Sequence, residues 1–242
     1  MENERNIALL IDADNVSQKY IKFILDEIAN HGIPTYKRIY GDWTSPQMSA
    51  WKEVLLEYSI TPIQQYSYTT GKNATDSALI IDAMDILYSH SVDGFCIVSS
   101  DSDFTKLAAR LRESGKFVLG MGEKKTPRPF IVACEKFKYL EALSAAAKVA
   151  SAPKNTAKEE SKDDVRELIH SIKNIINEIS DEDGWAFMGD VGNMLNKRLP
   201  DFDTRNYGYQ KLTPLVSSLN AFDIMSQKTS NPHITHKFIR NR

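Results

Sequence analysis

The sequence predicts an α/β fold, a parallel sheet sandwiched by helices, followed by a small α+β unit. Three observations predict it. Apolar strands and amphipathic helices alternate over residues 1–143, the pattern of parallel strands joined by crossover helices. Residues 144–162 then turn to Ala, Lys, Ser and Glu, with no bulky apolar side chain after Val149, the composition of a flexible linker. Residues 163–242 read as three helices and a hairpin, the outline of a winged helix. A chain of 242 residues suits two unequal units of this kind.

Asn6–Asp12 carries the unbroken apolar run IALLI and is expected as a strand buried on both faces. Ser17 is expected to cap a helix running to about Asn30, with Ile21, Ile24, Leu25 and Ile28 on one face. His31 and Gly32 stop it. Thr35–Trp43 reads as a second strand. Pro46 opens a helix in which Trp51, Val54, Leu55 and Tyr58 recur at helical spacing. Pro62–Tyr68 is a short third strand, Ala74–Ser89 a helix, and Gly94–Ser100 a fourth strand. Ser102 or Asp103 caps the helix FTKLAARLRES, which Gly115 ends. Lys116–Met121 is a fifth strand, and PRPFIVACEKFKYLEAL reads as a short helix and an edge strand. A strand order 3-2-1-4-5 reverses between the first and fourth strands, and ligand sites of such sheets lie beyond the carboxyl ends at that point. In the second unit, helices are expected over Asp164–Ser180, Phe187–Leu199 and Tyr207–Asn220. Strands Phe222–Gln227 and Ile234–Arg240 follow, joined by a Ser-Asn-Pro turn.

Composition narrows the class. Hydrophobic residues at 42% and charged residues at 26% describe a globular chain. No run approaches about 18 apolar residues, so no membrane span is expected. The N-terminus passes from charge directly into a strand and lacks the features of a signal peptide. Cys96 and Cys134 are expected as buried free thiols, which suits a cytoplasmic location. The net charge is -2, but from Trp185 onward eight basic residues face four acidic ones, a segment of +4. That is compatible with nucleic acid without requiring it.

The chemistry lies in four carboxylates. Asp12 ends the first strand and Asp101 follows the fourth, both at the expected reversal. Asp76 opens the helix that follows the third strand, and Asp103 lies two residues beyond Asp101. Carboxylates gathered at one edge repel each other, and a hard divalent cation such as Mg2+ or Mn2+ relieves that repulsion while binding substrate phosphates. Other roles stay open at this point. Asp12 can be a turn residue, Asp101 or Asp103 a helix cap, and Asp76 a first-turn charge. Asn15 can hold Asp12, and Ser99 and Ser100 can orient the Asp101 loop. Lys72 and Thr75 can meet phosphate at a helix start, and Lys124, Lys125 and Arg128 form a basic loop after the fifth strand. In the second unit Arg205, Tyr207, Tyr209 and Lys211 alternate charge with aromatics, which suits phosphate contact and base stacking, or else core packing of the tyrosines. Five scattered histidines offer no zinc set. Walker, dinucleotide and nucleophile-elbow motifs are missing.

The blocks IALLIDADN, GKNATDSALIIDAMDILY and DGFCIVSSDSDFTKLAARLRESGKFVLGMGEKKTP resemble the NYN domain family, a LabA-like branch of the PIN-like nuclease group. The resemblance covers roughly residues 5–143. It implies a PIN-like fold and a metal-dependent ribonuclease, with Asp12, Asp76 and Asp101 as acids, Asp103 as an extra one and Asn15 as the polar partner of Asp12. FMGDVGNMLNKRLPDFDTRNYGYQKLTPLVSSLNAFDIM resembles an OST-HTH or LOTUS domain. That implies a winged-helix module binding RNA or a protein partner, and a homodimer is compatible with it. The leading expectation is an endoribonuclease that uses metal-activated water at Asp12, Asp76, Asp101 and Asp103. The alternatives are an RNA-binding regulator with little turnover, and a phosphohydrolase or phosphoacceptor using the same strand-end aspartates.

Overall fold

The structure, a computed structural model, describes residues 4–66, 74–150, 162–228 and 235–242. The chain divides into two compact units, Met1–Ala145 and Ala146–Arg242. The first is built on six strands, β1 (Asn6–Asp12), β2 (Ile33–Gly41), β3 (Thr61–Gln64), β4 (Gly94–Val98), β5 (Phe117–Gly122) and β6 (Lys136–Tyr139). They lie in the order β3-β2-β1-β4-β5-β6, and every neighbouring pair is parallel. The order expected from sequence is therefore present, with β6 added as a parallel edge strand. Five helices connect the strands, α1 (Ile21–Ile28), α2 (Trp51–Glu57), α3 (Ala74–Tyr88), α4 (Thr105–Glu113) and α5 (Arg128–Ala133), and α6 (Leu140–Ala150) follows β6.

Side-chain alternation along β1 feeds two cores. Ile7, Leu9 and Ile11 join Ile21, Ile24, Ile28 and Trp51 on one face of the sheet. Ala8 and Leu10 join Leu79, Ala83, Phe104, Leu107 and Phe130 on the other. Every residue of β1 after Asn6 is buried, as a central strand covered on both faces requires. The same period of two sends Asp12 after Ala8 and Leu10, onto the α3 face.

Several local expectations shift. Ser17 precedes a 3-10 turn, Gln18–Tyr20, and makes no capping hydrogen bond; the α-helix begins only at Ile21. Pro46 likewise opens a 3-10 segment before α2. The cap ahead of α4 is Asp101, whose carboxylate accepts the Asp103 amide, and not Ser102 or Asp103. Helix α6 continues through Ala150, so residues 144–150, expected in the linker, are helical; Leu140 and Leu143 anchor its first turn in the core.

The second unit has α7 (Lys162–Ile179), β7 (Ala186–Phe187), α8 (Met188–Arg198), α9 (Leu212–Ser218), β8 (Phe222–Lys228) and β9 (Thr235–Asn241). The three strands form an antiparallel sheet in the order β7-β9-β8. The Ser-Asn-Pro turn lies outside the described residues. Strand β7 takes Phe187 out of the helix expected to contain it. The helix expected from Tyr207 starts late: Asp203 caps a 3-10 turn at Thr204–Tyr207, Gly208 takes a left-handed φ of 74°, and α9 begins at Leu212. Leu168, Ile172, Ile175, Ile176, Val191, Leu195, Leu215 and Ile239 make the core of this unit.

One polar contact fixes α3 to the sheet. The Asp82 carboxylate accepts hydrogen bonds from the buried Tyr40 hydroxyl and from the Arg38 guanidinium, both on β2. Burial, reinforced by the bond to Asp82, pushes the Tyr40 phenol above its ordinary value. Asp82→Ala strands the Tyr40 hydroxyl and should lower the unfolding free energy by about 2–3 kcal/mol, as read by urea denaturation.

Candidate metal centre

The site grows from the carboxyl ends of β1 and β4. The β1–β4 register pairs Ile11 with Val98, so the residues that follow, Asp12 and Ser99, emerge side by side. Both are fully buried. Asp12 Oδ2 accepts hydrogen bonds from Ser99 Oγ at 2.7 Å and Asn15 Nδ2 at 2.8 Å, and Oδ1 accepts the Asp14 amide at 3.1 Å. Ser99 Oγ in turn accepts the Asp101 amide at 3.0 Å. One hydroxyl thus ties the buried carboxylate to the loop that carries Asp101. Burial raises the Asp12 carboxyl above its ordinary value, against the lowering effect of Ser99 and Asn15.

The next strand presses on the same loop. Ser100 Oγ accepts the Glu123 amide at 2.9 Å. A Cβ on Gly122, the last residue of β5, would stand 2.5 Å from the Ser99 carbonyl oxygen and from Thr126 Oγ1. Glycine at this position lets β5 close against the Asp101 loop.

Asp76 sits in the first turn of α3 and is buried, as is Thr75 beside it. Asp101 is half-buried and Asp103 is exposed. One carboxylate oxygen from each of Asp76, Asp101 and Asp103 lies within 4.8 Å of the others. Among the described residues no ion pair joins Asp76 or Asp101 to a cation. Burial, then the charges of Asp12, Asp101, Asp103 and Asp14 in that order, pushes the Asp76 carboxyl up from 3.8 to about 6.

Of the four acids, Asp76, Asp101 and Asp103 bring carboxylate oxygens close together, while Asp12 is held by three hydrogen bonds and acts on Asp76 through its charge. Of the other residues considered, Asn15, Ser99 and Ser100 lie in the hydrogen-bond network around Asp12 and Asp101. The Lys124 amide donates to Glu141, and the exposed Lys125 ammonium pairs with Glu123 at 3.0 Å. Arg128 is exposed at the start of α5. Lys72 lies outside the described residues. An open cleft of about 300 Å³ adjoins Asn15, lined also by Asp14, Gln18, Gln47 and Met48; no sequence motif announced it.

In the second unit, Arg205 does not reach outward. Its guanidinium grips Asp203: Nε donates to Oδ1 at 3.0 Å and to Oδ2 at 3.1 Å, and Nη2 to Oδ2 at 2.6 Å. Tyr207 packs on Phe202, and both Tyr207 and Tyr209 lean on the core. Lys211 is exposed just ahead of α9. Arg198 pairs with Glu178, Arg240 and Arg242 share Asp223, and Lys237 donates to Ser226. The basic excess of this segment is largely turned to internal partners, a disposition that net charge cannot reveal.

The six-stranded parallel sheet flanked by helices fits a PIN-like NYN fold. The NYN domain matches residues 6–141, and the chain belongs to that family. The OST-HTH/LOTUS domain matches residues 157–234, the small unit with the three-stranded sheet. A protein of unknown function from Vibrio parahaemolyticus is 19% identical over 57% of this chain and 93% of its own, with a TM-score of 0.47. An uncharacterized protein from Nitrosomonas europaea is 29% identical over 38% of this chain and 83% of its own, with a TM-score of 0.30. Among curated proteins, none matches the chain. NYN domains are of nuclease type, and OST-HTH/LOTUS domains bind RNA. No helix among the described residues is long and apolar enough to cross a membrane.

The raised Asp76 carboxyl has a thermodynamic consequence. The folded chain holds this proton more tightly than the unfolded chain does. Stability contributed by the site is therefore intact below about pH 4, falls as pH rises through about 6, and stays lowered above that. Asp76→Asn should raise stability by about 1–3 kcal/mol at pH 7.5 and leave it nearly unchanged at pH 4, as read by urea denaturation in EDTA.

Proposed function

We propose that this protein is a metal-dependent ribonuclease whose C-terminal domain recruits RNA. The observation that carries the reading is the oxygen trio of Asp76, Asp101 and Asp103. It lies at the sheet edge of an NYN domain, over a fourth, buried carboxylate. The donor set fits Mg2+ or Mn2+, which take hard oxygen ligands from a few carboxylates and complete their shell with water and phosphate. The raised Asp76 carboxyl marks a site where negative charge is concentrated and a cation is favoured. Asp76, Asp101 and Asp103 would hold the ion. Bound there, it would supply Lewis-acid polarisation of a phosphodiester and a nucleophilic water at neutral pH.

The chain's own residues do the positioning. Asp12 holds Ser99, and Ser99 holds the Asp101 amide, so the loop stands at fixed height above the sheet. Asp101 in turn receives the Asp103 amide, which sets the spacing of these two acids. Asp82 clamps α3 to β2 and so keeps Asp76 at the edge. Asn15 neutralises none of the charge but occupies one oxygen of Asp12, leaving that carboxylate as a fixed electrostatic element under the site. Lys124, Lys125 and Arg128 are the candidates for contact with the RNA backbone, since Lys124 and Lys125 lie on the loop that Ser100 holds and Arg128 follows at the start of α5.

Short single-stranded RNA incubated with the purified chain should be cleaved with Mn2+ or Mg2+ and left intact in EDTA. Internal cuts in a circular RNA would mark endonuclease action. Asp76→Asn and Asp101→Asn should each reduce the rate by about 100-fold or more, and Ser99→Ala by about tenfold through the displaced loop. Unchanged cleavage in both aspartate variants would sink the assignment. RNA binding with no cleavage under either metal would point instead to a regulator or adaptor.

A further inference from the structure

The outer face of the three-stranded sheet carries a row of rings, exposed at Phe187 and His236 and half-buried at Phe238, that the carboxylate site does not use. Its origin is the alternation along the strands. Ala186, Ile224 and Ile239 turn inward to the core. Their neighbours Phe187, Met225 and Phe238 therefore turn outward. The register sets Phe187 opposite Phe238, and Phe238 opposite Met225, so the three form one row across all three strands. His236, two residues before Phe238, extends the row along β9. Ring centroids stand 5.9 Å apart for Phe187 and Phe238, 5.2 Å for Phe187 and His236, and 6.5 Å for His236 and Phe238. At the other end Arg240 stacks its guanidinium 4.6 Å from the centre of the Trp185 ring.

Phe187 remains 38% exposed and Met225 40%, a large apolar surface to leave in water. Phe187 is also held in place. A Cβ on Gly189 would come within 2.6 Å of its Cε1, so its ring lies against bare backbone. Neighbouring rings are inclined at 55–60°. Fixed rings on a sheet suit the stacking of unpaired bases. The segment expected from sequence to do this, Arg205 to Lys211, has its arginine bound to Asp203 and its tyrosines against the core.

We propose that this sheet face is a stacking surface for single-stranded RNA, with Phe187 and Phe238 as the platforms. The proposal rests on the reading of the C-terminal domain as the RNA-recruiting part, and not on catalysis. Bases stack on the rings in any sequence, because every base has a π face. Duplex RNA hides those faces and binds less well.

The test is fluorescence anisotropy of a labelled 12-nucleotide single-stranded RNA with the full chain in EDTA, where cleavage plays no part. Phe187→Ala and Phe238→Ala should each weaken binding by about fivefold or more. Phe238→Leu, which keeps the apolar bulk, should weaken it as well, and Phe238→Tyr should restore it. Thermal melts matching wild type certify the fold of each variant. Ultraviolet crosslinking of the wild-type complex should label peptides spanning 185–187 or 236–238. Unchanged RNA affinity in all phenylalanine variants, or equal affinity for a duplex, overturns the proposal while leaving the RNA-recruiting reading in place. A wild-type chain that binds no RNA overturns both, and leaves the nuclease assay as an independent question.

Discussion

A carboxylate buried at the end of a wholly apolar strand is the constraint on which the site depends. Asp12 loses its water and recovers three hydrogen bonds, from Ser99, Asn15 and the Asp14 amide. Leaving such a group without partners would cost several kcal/mol. Ser99 must therefore stand beside it, which fixes the register of β4 against β1 and the path of the chain into Asp101. The same demand reaches β5, where Gly122 allows the strand to pass close to the Ser99 carbonyl. Hydrogen bonding, strand pairing and one missing side chain thus converge on a single loop.

Above that loop the structure concentrates like charge. Asp76, Asp101 and Asp103 lie close together, and burial together with the neighbouring carboxylates raises the carboxyl of the most buried of them, Asp76. A fold tolerates such a cluster only if stability is supplied elsewhere. Here the two cores on either face of the sheet, and the grip of Asp82 on Tyr40 and Arg38, hold α3 in place while its first turn is under repulsion. The two polar anchors of this helix face have opposite characters. Asp82 is satisfied by donors and is structural. Asp76 has no cationic partner among the described residues and lies beside Asp101 and Asp103.

The C-terminal unit shows a different division. Its positive residues are numerous but mostly tied to Asp203, Asp223 and Glu178. Its exposed Phe187, His236 and Met225 lie on the sheet. Phe187 reads as helical in sequence because it adjoins the amphipathic run of α8. Only pairing with β9 makes it a strand residue.

Much of the first unit is legible because its signals are local or follow from topology. The apolar run before Asp12 and the strand–helix alternation point to a parallel sheet with Asp12 and Asp101 at the carboxyl ends of its strands. What the sequence could not determine is which oxygens meet. Asp76 and Asp101 are 25 positions apart, and their approach depends on how α3 seats against β2. The withdrawal of Asp12 beneath the trio depends on a serine 87 residues away. Capping by Asp101 in place of Ser102 or Asp103 turns on one backbone angle at the strand exit. Residue type and period set the elements and the kind of chemistry, because both act over a few neighbouring positions. Tertiary packing alone decided the partners of each carboxylate and ring, because hydrogen bonds, charge repulsion and ring contacts act over a few ångströms between segments far apart in the chain.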